Sequence, residues 1–345
     1  MLPRAGARSF VPNDSMLDTD AIVRHFRDVE RAAQELTRSC GASYLGRKPD
    51  CYFELNSSVR HESLFSPRST RCSFRTEERA VSPTAVASIL CRAIERQPNI
   101  SFVGNTLVLA AGRLSDGGVS VETHGKGQAV CRRYSCVANC MWDDRLRVDR
   151  TAEVIDPGPW FLRYKATISI SMASEAAREI PSATGIVGTY GDVVNQNDES
   201  FYVSWYPLCR RAQTVDEDGR KLHDMVHTGA VARAVRKMTA GHSWLSSFVG
   251  SIAHRRFIRD SIQAMAGYVP SMASLLEGER SCKVGGGVIL AKGTTDIDDP
   301  ASYLHQRSAI GPVAHGSYVT IDTGKYCMAP LFGVEAADIV AGILR

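Results

Sequence analysis

The sequence has no strong charge of one sign: 41 basic residues stand against 37 acidic ones, a net charge of +4 over 345 residues. Proteins that grip nucleic-acid phosphates carry a basic stripe, so a nucleic-acid partner is not expected. The densest basic stretches, Arg233 to Lys237 and His254 to Arg259, read as the wet faces of helices. Long apolar runs are also missing. None approaches the roughly 18 residues that a membrane-spanning helix needs, and no membrane span is expected. The first residues lack the apolar core of a secretory signal and read as a frayed terminus. The ten cysteines form no C-x-x-C pair and no framework spacing, which argues against a zinc site or a disulfide scaffold. They are expected to be reduced thiols in a cytoplasmic protein, packed as small hydrophobes. There is no internal repeat and no low-complexity tract.

What is present is a chain of 44% hydrophobic residues, long enough for one large domain or two interleaved ones. Ile22, Val23, Phe26, Val29 and Leu36 recur at helical spacing and predict a helix over Asp18 to Ser39, capped near Asp18. Gly41 to Arg71 reads as a long loop or a small subdomain, Phe74 to Ala80 as a short extended piece, and Ser82-Pro83 as the entry to a helix. Strands are predicted at Ile100 to Ala110 and Gly118 to His124. The apolar run Tyr134 to Trp142 reads as a strand buried on both faces. After the break at Pro157 to Pro159, Trp160 to Met172, Ala183 to Gly188 and Ser200 to Tyr206 suit an antiparallel sheet. Arg220 to Met265 reads as mostly helical, Gly285 to Lys292 as a buried strand with Gly285 to Gly287 preceding it, and Val334 to Leu344 as a last helix. This order predicts an α/β fold, α+β overall, with an antiparallel layer inserted. His223 and His227 share a helix face, but without a motif such as H-E-x-x-H they read as surface histidines.

Four stretches, in order, resemble FAD-dependent oxidoreductases of the D-amino-acid oxidase and glycine oxidase superfamily. They are Phe74-Arg-Thr-Glu-Glu-Arg-Ala-Val-Ser-Pro83; Val137-Ala-Asn-Cys-Met-Trp-Asp-Asp-Arg145; Gly188-Thr-Tyr-Gly-Asp-Val-Val194 with Tyr202-Val-Ser-Trp-Tyr-Pro207; and Thr294 to Arg307 with Tyr318 to Phe332. The resemblance implies a partial FAD-binding Rossmann-like domain interleaved with an antiparallel substrate-binding sheet. It divides the chain into a partial FAD-binding region at 1–159, a substrate side at 160–272, and a return strand, flavin-contacting loop and last helix at 273–345. It also implies that an amine or amino acid is oxidised by hydride transfer to FAD.

By the same resemblance, Asn139, Cys140 and Trp142 lie on the adenosine side of the cofactor. Thr323, Gly324, Lys325, Tyr326 and the helix after Pro330 pass close to the flavin ring. Backbone N–H groups, a helix N-terminus or a lysine there would stabilise the charge of the reduced flavin. Enzymes of this kind anchor a substrate carboxylate with arginine and often tyrosine. Arg163, Tyr164, His305 and Arg307 are the candidates, with Tyr190 and Tyr206 as further lining.

The sequence departs from that family in one place. Family members open with a strand and a G-x-G-x-x-G turn whose backbone approaches the FAD pyrophosphate, and no such turn occurs here. Losing two or three charge-assisted hydrogen bonds, at roughly 1.5–3 kcal/mol each, removes about two to six powers of ten in affinity. Three readings stay open: a flavoenzyme whose chain begins late, a non-catalytic binding or scaffold remnant, and one half of an enzyme whose partner chain supplies the nucleotide-binding half.

Overall fold

The computed structural model describes residues 7–44, 46–47, 51–216, 252–277, 280–305, 310–322 and 324–345. The first half holds β1 (Arg8–Pro12), α1 (Thr19–Cys40), β2 (Phe53–Leu55), α2 (Ser58–Glu62), β3 (Thr70–Thr76), α3 (Pro83–Glu95), β4 (Thr106–Arg113), β5 (Val119–Gly125), β6 (Gln128–Tyr134), β7 (Val137–Asn139) and α4 (Arg145–Thr151). The second holds β8 (Trp160–Ser171), α5 (Glu175–Arg178), β9 (Ala183–Gly185), β10 (Gly191–Asn195), β11 (Ser200–Trp205), α6 (Tyr206–Cys209), β12 (Arg210–Asp216), α7 (Ile252–Ala266), β13 (Ser281–Lys292), β14 (Pro312–His315), β15 (Tyr318–Ile321) and α8 (Ala329–Ile343).

Local chemistry explains the ends of α1. The Asp18 carboxylate accepts the Ala21 N–H at 2.6 Å, and Gly41 closes the helix in the left-handed region at φ 68°. Only the first turns of its apolar stripe find a core. Ile22, Val23 and Phe26 pack on Val11, Phe53 and Phe74, whereas Val29 and Leu36 are exposed.

The chain forms two compact units, each assembled from three stretches: Met1–Ser88, Lys165–Arg211 and Met238–Gly286 in the first; Ile89–Tyr164, Ala212–Lys237 and Gly287–Arg345 in the second. The large sheet has the order β12-β8-β11-β10-β9-β1-β3-β2, with β13 also on β8. The described pairings are antiparallel except β1–β9. In the first unit Phe10 stacks near Phe65 and Tyr268, with ring centroids 5.4 Å away in each case. The second unit holds an antiparallel meander, β4-β5-β6, and a small sheet, β14-β15-β7, whose β7–β15 pair is parallel. The fold is thus mixed α and β with an antiparallel layer inserted, as expected.

Several expectations need correction. The stretch Gly41 to Arg71, read as a long loop or a small subdomain, is not a plain loop: it contains β2 and α2, and β3 starts at Thr70. Tyr134 to Trp142 is not one strand buried on both faces. It holds the end of β6 and the short β7; β6 is exposed throughout, as are Ala138 and Cys140. An apolar run reports a wish for burial, not a neighbour that supplies it. For the same reason the cysteines do not mostly pack inside: only Cys209 is buried, and six are exposed. Gly285 to Gly287 lie within β13 rather than before it, and α8 begins five residues earlier than Val334. Among the described residues, the window Tyr326–Ile343 is long and apolar enough, by length and composition, to cross a membrane. It was not expected because Glu335 and Asp338 interrupt it. Phe332 and Ala336 pack on Val319 and Ile321. The helix predicted over Arg220 to Met265 lies mostly outside the described residues, as do His223 and His227; its end is α7.

Candidate functional site

Parallel strands place their carboxyl ends side by side, where α/β folds collect ligands. In the second unit Tyr318, Val319 and Thr320 pair in parallel with Val137, Ala138 and Asn139. Alternation along β15 then assigns its two faces. Val319 and Ile321 pack on α8, while Tyr318 and Thr320 point to the other face and reach Asp149 on α4. The loops Cys140 to Trp142 and Asp322 to Tyr326 leave the two strands at this edge.

Asp149 is the centre of the arrangement and is 1% exposed. Its Oδ1 accepts the Asn139 amide at 2.7 Å and the Tyr318 hydroxyl at 2.8 Å. Its Oδ2 accepts the Thr320 hydroxyl at 2.8 Å and Arg145 Nη1 at 3.2 Å. Asn139 Oδ1 accepts the Met141 N–H, which turns the chain after β7, and Asp322 Oδ1 accepts the Gly324 N–H, which turns it after β15. Gly324 has φ 56°, in the left-handed region. Arg145 ties the ends together: its Nη2 reaches Asp322 Oδ2 at 3.4 Å, and its guanidinium lies 5.2 Å over the Trp160 ring. A cavity of about 520 Å³ opens beside these groups, walled by Trp160, Lys292, Asp156, His315 and Glu335 as well as Arg145. Lys292 is paired with Asp156 at 3.1 Å.

Burial, reinforced by the Asp149 carboxylate, raises the Tyr318 hydroxyl well above the ordinary tyrosine range, and burial raises Tyr164. In the unfolded chain both ionise near pH 10. Above that pH the unfolded state holds fewer protons than the folded one, so stability falls as pH rises. Each tyrosine contributes a slope of about 1.4 kcal/mol per pH unit, ending only at its raised folded value. Urea denaturation on both sides of pH ~10 checks this, and Tyr164→Phe should remove one tyrosine's share of the slope. A stability that stays flat through alkaline pH would contradict the burial of these hydroxyls.

The structure gathers some of the candidate residues and separates others. Asn139 is buried and fully engaged in shaping the loop; Trp142 is half-buried, its φ 50°, its indole N–H donating to the Val288 carbonyl at 2.8 Å. Cys140, Lys325, Tyr326 and Pro330 are exposed, and Gly324 is buried. Arg163 is buried in an ion pair with Asp296, on the same strand face as Phe161, which packs on Leu304 and Ile297. His305 Nε2 lies 3.1 Å from the Ile297 carbonyl, so Arg163 and His305 meet on one loop. Tyr164 points to the opposite strand face, and its buried hydroxyl has no hydrogen-bond partner. Tyr190 and Tyr206 lie in the first unit, Tyr190 bonded to Asp14 at 2.9 Å. Arg307 and Thr323 lie outside the described residues. Asp149, Asp156, Trp160 and Lys292 escaped the sequence reading. For Asp149 the only signal was the short charged stretch Arg145 to Thr151.

Removing Asp296 takes away the carboxylate that balances buried Arg163. Asp296→Ala is expected to destabilise by about 3 kcal/mol, and Arg163→Met combined with Asp296→Leu to recover most of that loss. Chemical denaturation of the two variants measures it; a double variant no more stable than Asp296→Ala would remove the pair from the account of stability.

No protein-family model matches the chain, and no curated protein matches it. Solved structures do. A dithionite-reduced L-α-glycerophosphate oxidase from Mycoplasma pneumoniae with FAD bound is similar at 14% identity and TM-score 0.55, over 98% of this chain and 74% of that one. An L-proline dehydrogenase from P. horikoshii is similar at 10% identity and TM-score 0.55, over 97% and 72%. An L-amino acid deaminase from Proteus vulgaris is similar at 12% identity and TM-score 0.54, over 98% and 75%. The chain shares its fold with these three structures.

Proposed function

We propose that this chain is the substrate-side part of an FAD-dependent oxidoreductase of the D-amino-acid oxidase type, acting on an amine or amino acid. The observation that carries this reading is the parallel β7–β15 pair with two turned loops at its carboxyl ends, held by the Asn139–Asp149–Arg145–Asp322 network. Such a network spends buried polar groups to fix two loops, and solved structures of the same fold include amino-acid and amine oxidoreductases. FAD, when bound, supplies the acceptor for the hydride leaving the substrate carbon. The residues present fit its ring end. The Gly324 turn brings backbone close, and Lys325 offers a positive charge to the reduced ring. Tyr164, with a buried hydroxyl lacking a partner, is the chain's best candidate for a substrate hydrogen bond.

The pyrophosphate end does not fit, because no G-x-G-x-x-G turn exists in the 345 residues. We therefore propose that the nucleotide-binding half is supplied from outside these 345 residues. Among the described residues β7 pairs only with β15, leaving its outer edge open, and such edges invite another strand. Beside it β6 is exposed, Phe102 is 81% exposed, and Val103, Val121, Val130 and Val137 line an apolar cavity of about 740 Å³.

The test is to purify the chain with excess FAD and read the visible flavin spectrum. The expected result is no retained flavin from the chain alone, given about two to six powers of ten of lost affinity. Co-expression with a fingerprint-bearing chain should restore both flavin and amine oxidation. Flavin retained by the chain alone would remove the partner. A stable complex without flavin would favour the non-catalytic binding module instead.

A further inference from the structure

The first unit holds a cavity that the flavin reading leaves unused. Arg8 stands at the start of β1, on the same strand face as Phe10, and opens into a cavity of about 510 Å³ walled also by Arg60 and Arg178. The Nη1 atom of Arg8 is buried and has no hydrogen-bond partner. Burial, together with the charges of Arg60 and Arg75, lowers its pKa against the opposing pull of Glu54. Directly across the ladder from Arg8 is Arg75, a like-charge pair that costs stability in a sheet. Arg75 has its own carboxylates, Glu54 at 3.1 Å and Glu77 at 3.6 Å. Among the described residues no ion pair is formed by Arg8, Arg60 or Arg178.

Each of these features is unfavourable for the empty protein. A guanidinium N–H without an acceptor loses its hydration for nothing, and three arginines around one opening repel one another. A bound oxyanion reverses both. The other polar walls do not compete for that role: Asn195 is engaged with the Ile180 carbonyl at 2.8 Å, and Ser182 with the Asn195 backbone. The carboxylates Glu62 and Glu179 line the same cavity and are exposed, so solvent screens them more than it screens Arg8.

We propose that this cavity binds the oxyanion group of a small molecule, a carboxylate or a phosphate, with Arg8 as the inner ligand and Arg60 and Arg178 at the mouth. A planar guanidinium binds either group through paired hydrogen bonds. The volume, about 510 Å³, admits a molecule of metabolite size.

The experiment titrates inorganic phosphate and, separately, succinate into the full chain by calorimetry, with melting temperature followed in parallel. One of the two should bind with one-to-one stoichiometry and raise the melting temperature; which one does so identifies the group. Arg8→Met should weaken that binding at least about tenfold while the unliganded melting temperature stays level or rises, because a repelled charge has been removed. If Arg8→Met does not fold, the double variant Arg60→Gln/Arg178→Gln decides, with the same tenfold loss expected. Binding of neither anion at about 10 mM, or unchanged affinity in the deciding variant, overturns the site.

Discussion

Asp149→Ala is expected to destabilise the protein by about 3–5 kcal/mol, the largest effect of any single side chain in the second unit. The carboxylate accepts four hydrogen bonds, from Asn139, Tyr318, Thr320 and Arg145. Its removal leaves a guanidinium only 3% exposed without its shortest counter-charge, while Asp322 and Asp156 are farther, at 3.4 and 3.9 Å. Domains of this kind hold only about 5–15 kcal/mol in total, so the variant should sit near its unfolding threshold at room temperature. Asp149→Asn keeps the volume and one acceptor and should lose less. Urea denaturation of both variants measures the difference. A loss below about 1 kcal/mol for the alanine variant would mean that water replaces the carboxylate, and the two loops would then need another explanation for their order.

Gly191→Ala should be nearly as damaging, for a steric reason. Gly191 lies in β10 opposite Trp205, and a Cβ there would fall far inside contact distance of the Ser204 carbonyl and the Met265 sulfur, and 3.1 Å from the Trp205 ring. The methionine can move, but the carbonyl belongs to the neighbouring strand. Overpacking of this kind costs about 1–3 kcal/mol, and a clash with backbone puts it at the upper end. A variant with unchanged thermal midpoint would show that β10 and β11 separate more easily than their ladder suggests.

The sequence by itself determined what depends on neighbours a few residues away. The cap near Asp18 and the proline entry to α3 are set by local sterics and local hydrogen bonds, and they appear where the residues call for them. The absent G-x-G-x-x-G turn belongs to the same class, since a short motif is legible wherever it occurs. What brings Asp149 to Thr320, 171 residues away, or Arg163 to Asp296, 133 residues away, is strand order and register, and no local pattern encodes either. Burial is the other quantity that only the tertiary structure decided. Tyr134 to Trp142 is as apolar as a buried strand, yet β6 and the edge of β7 are open. Hydrophobicity fixes what a segment gains when covered, and the topology decides whether a cover exists. Arg8 shows the converse: the fold has buried one guanidinium nitrogen, Nη1, and left it without an acceptor.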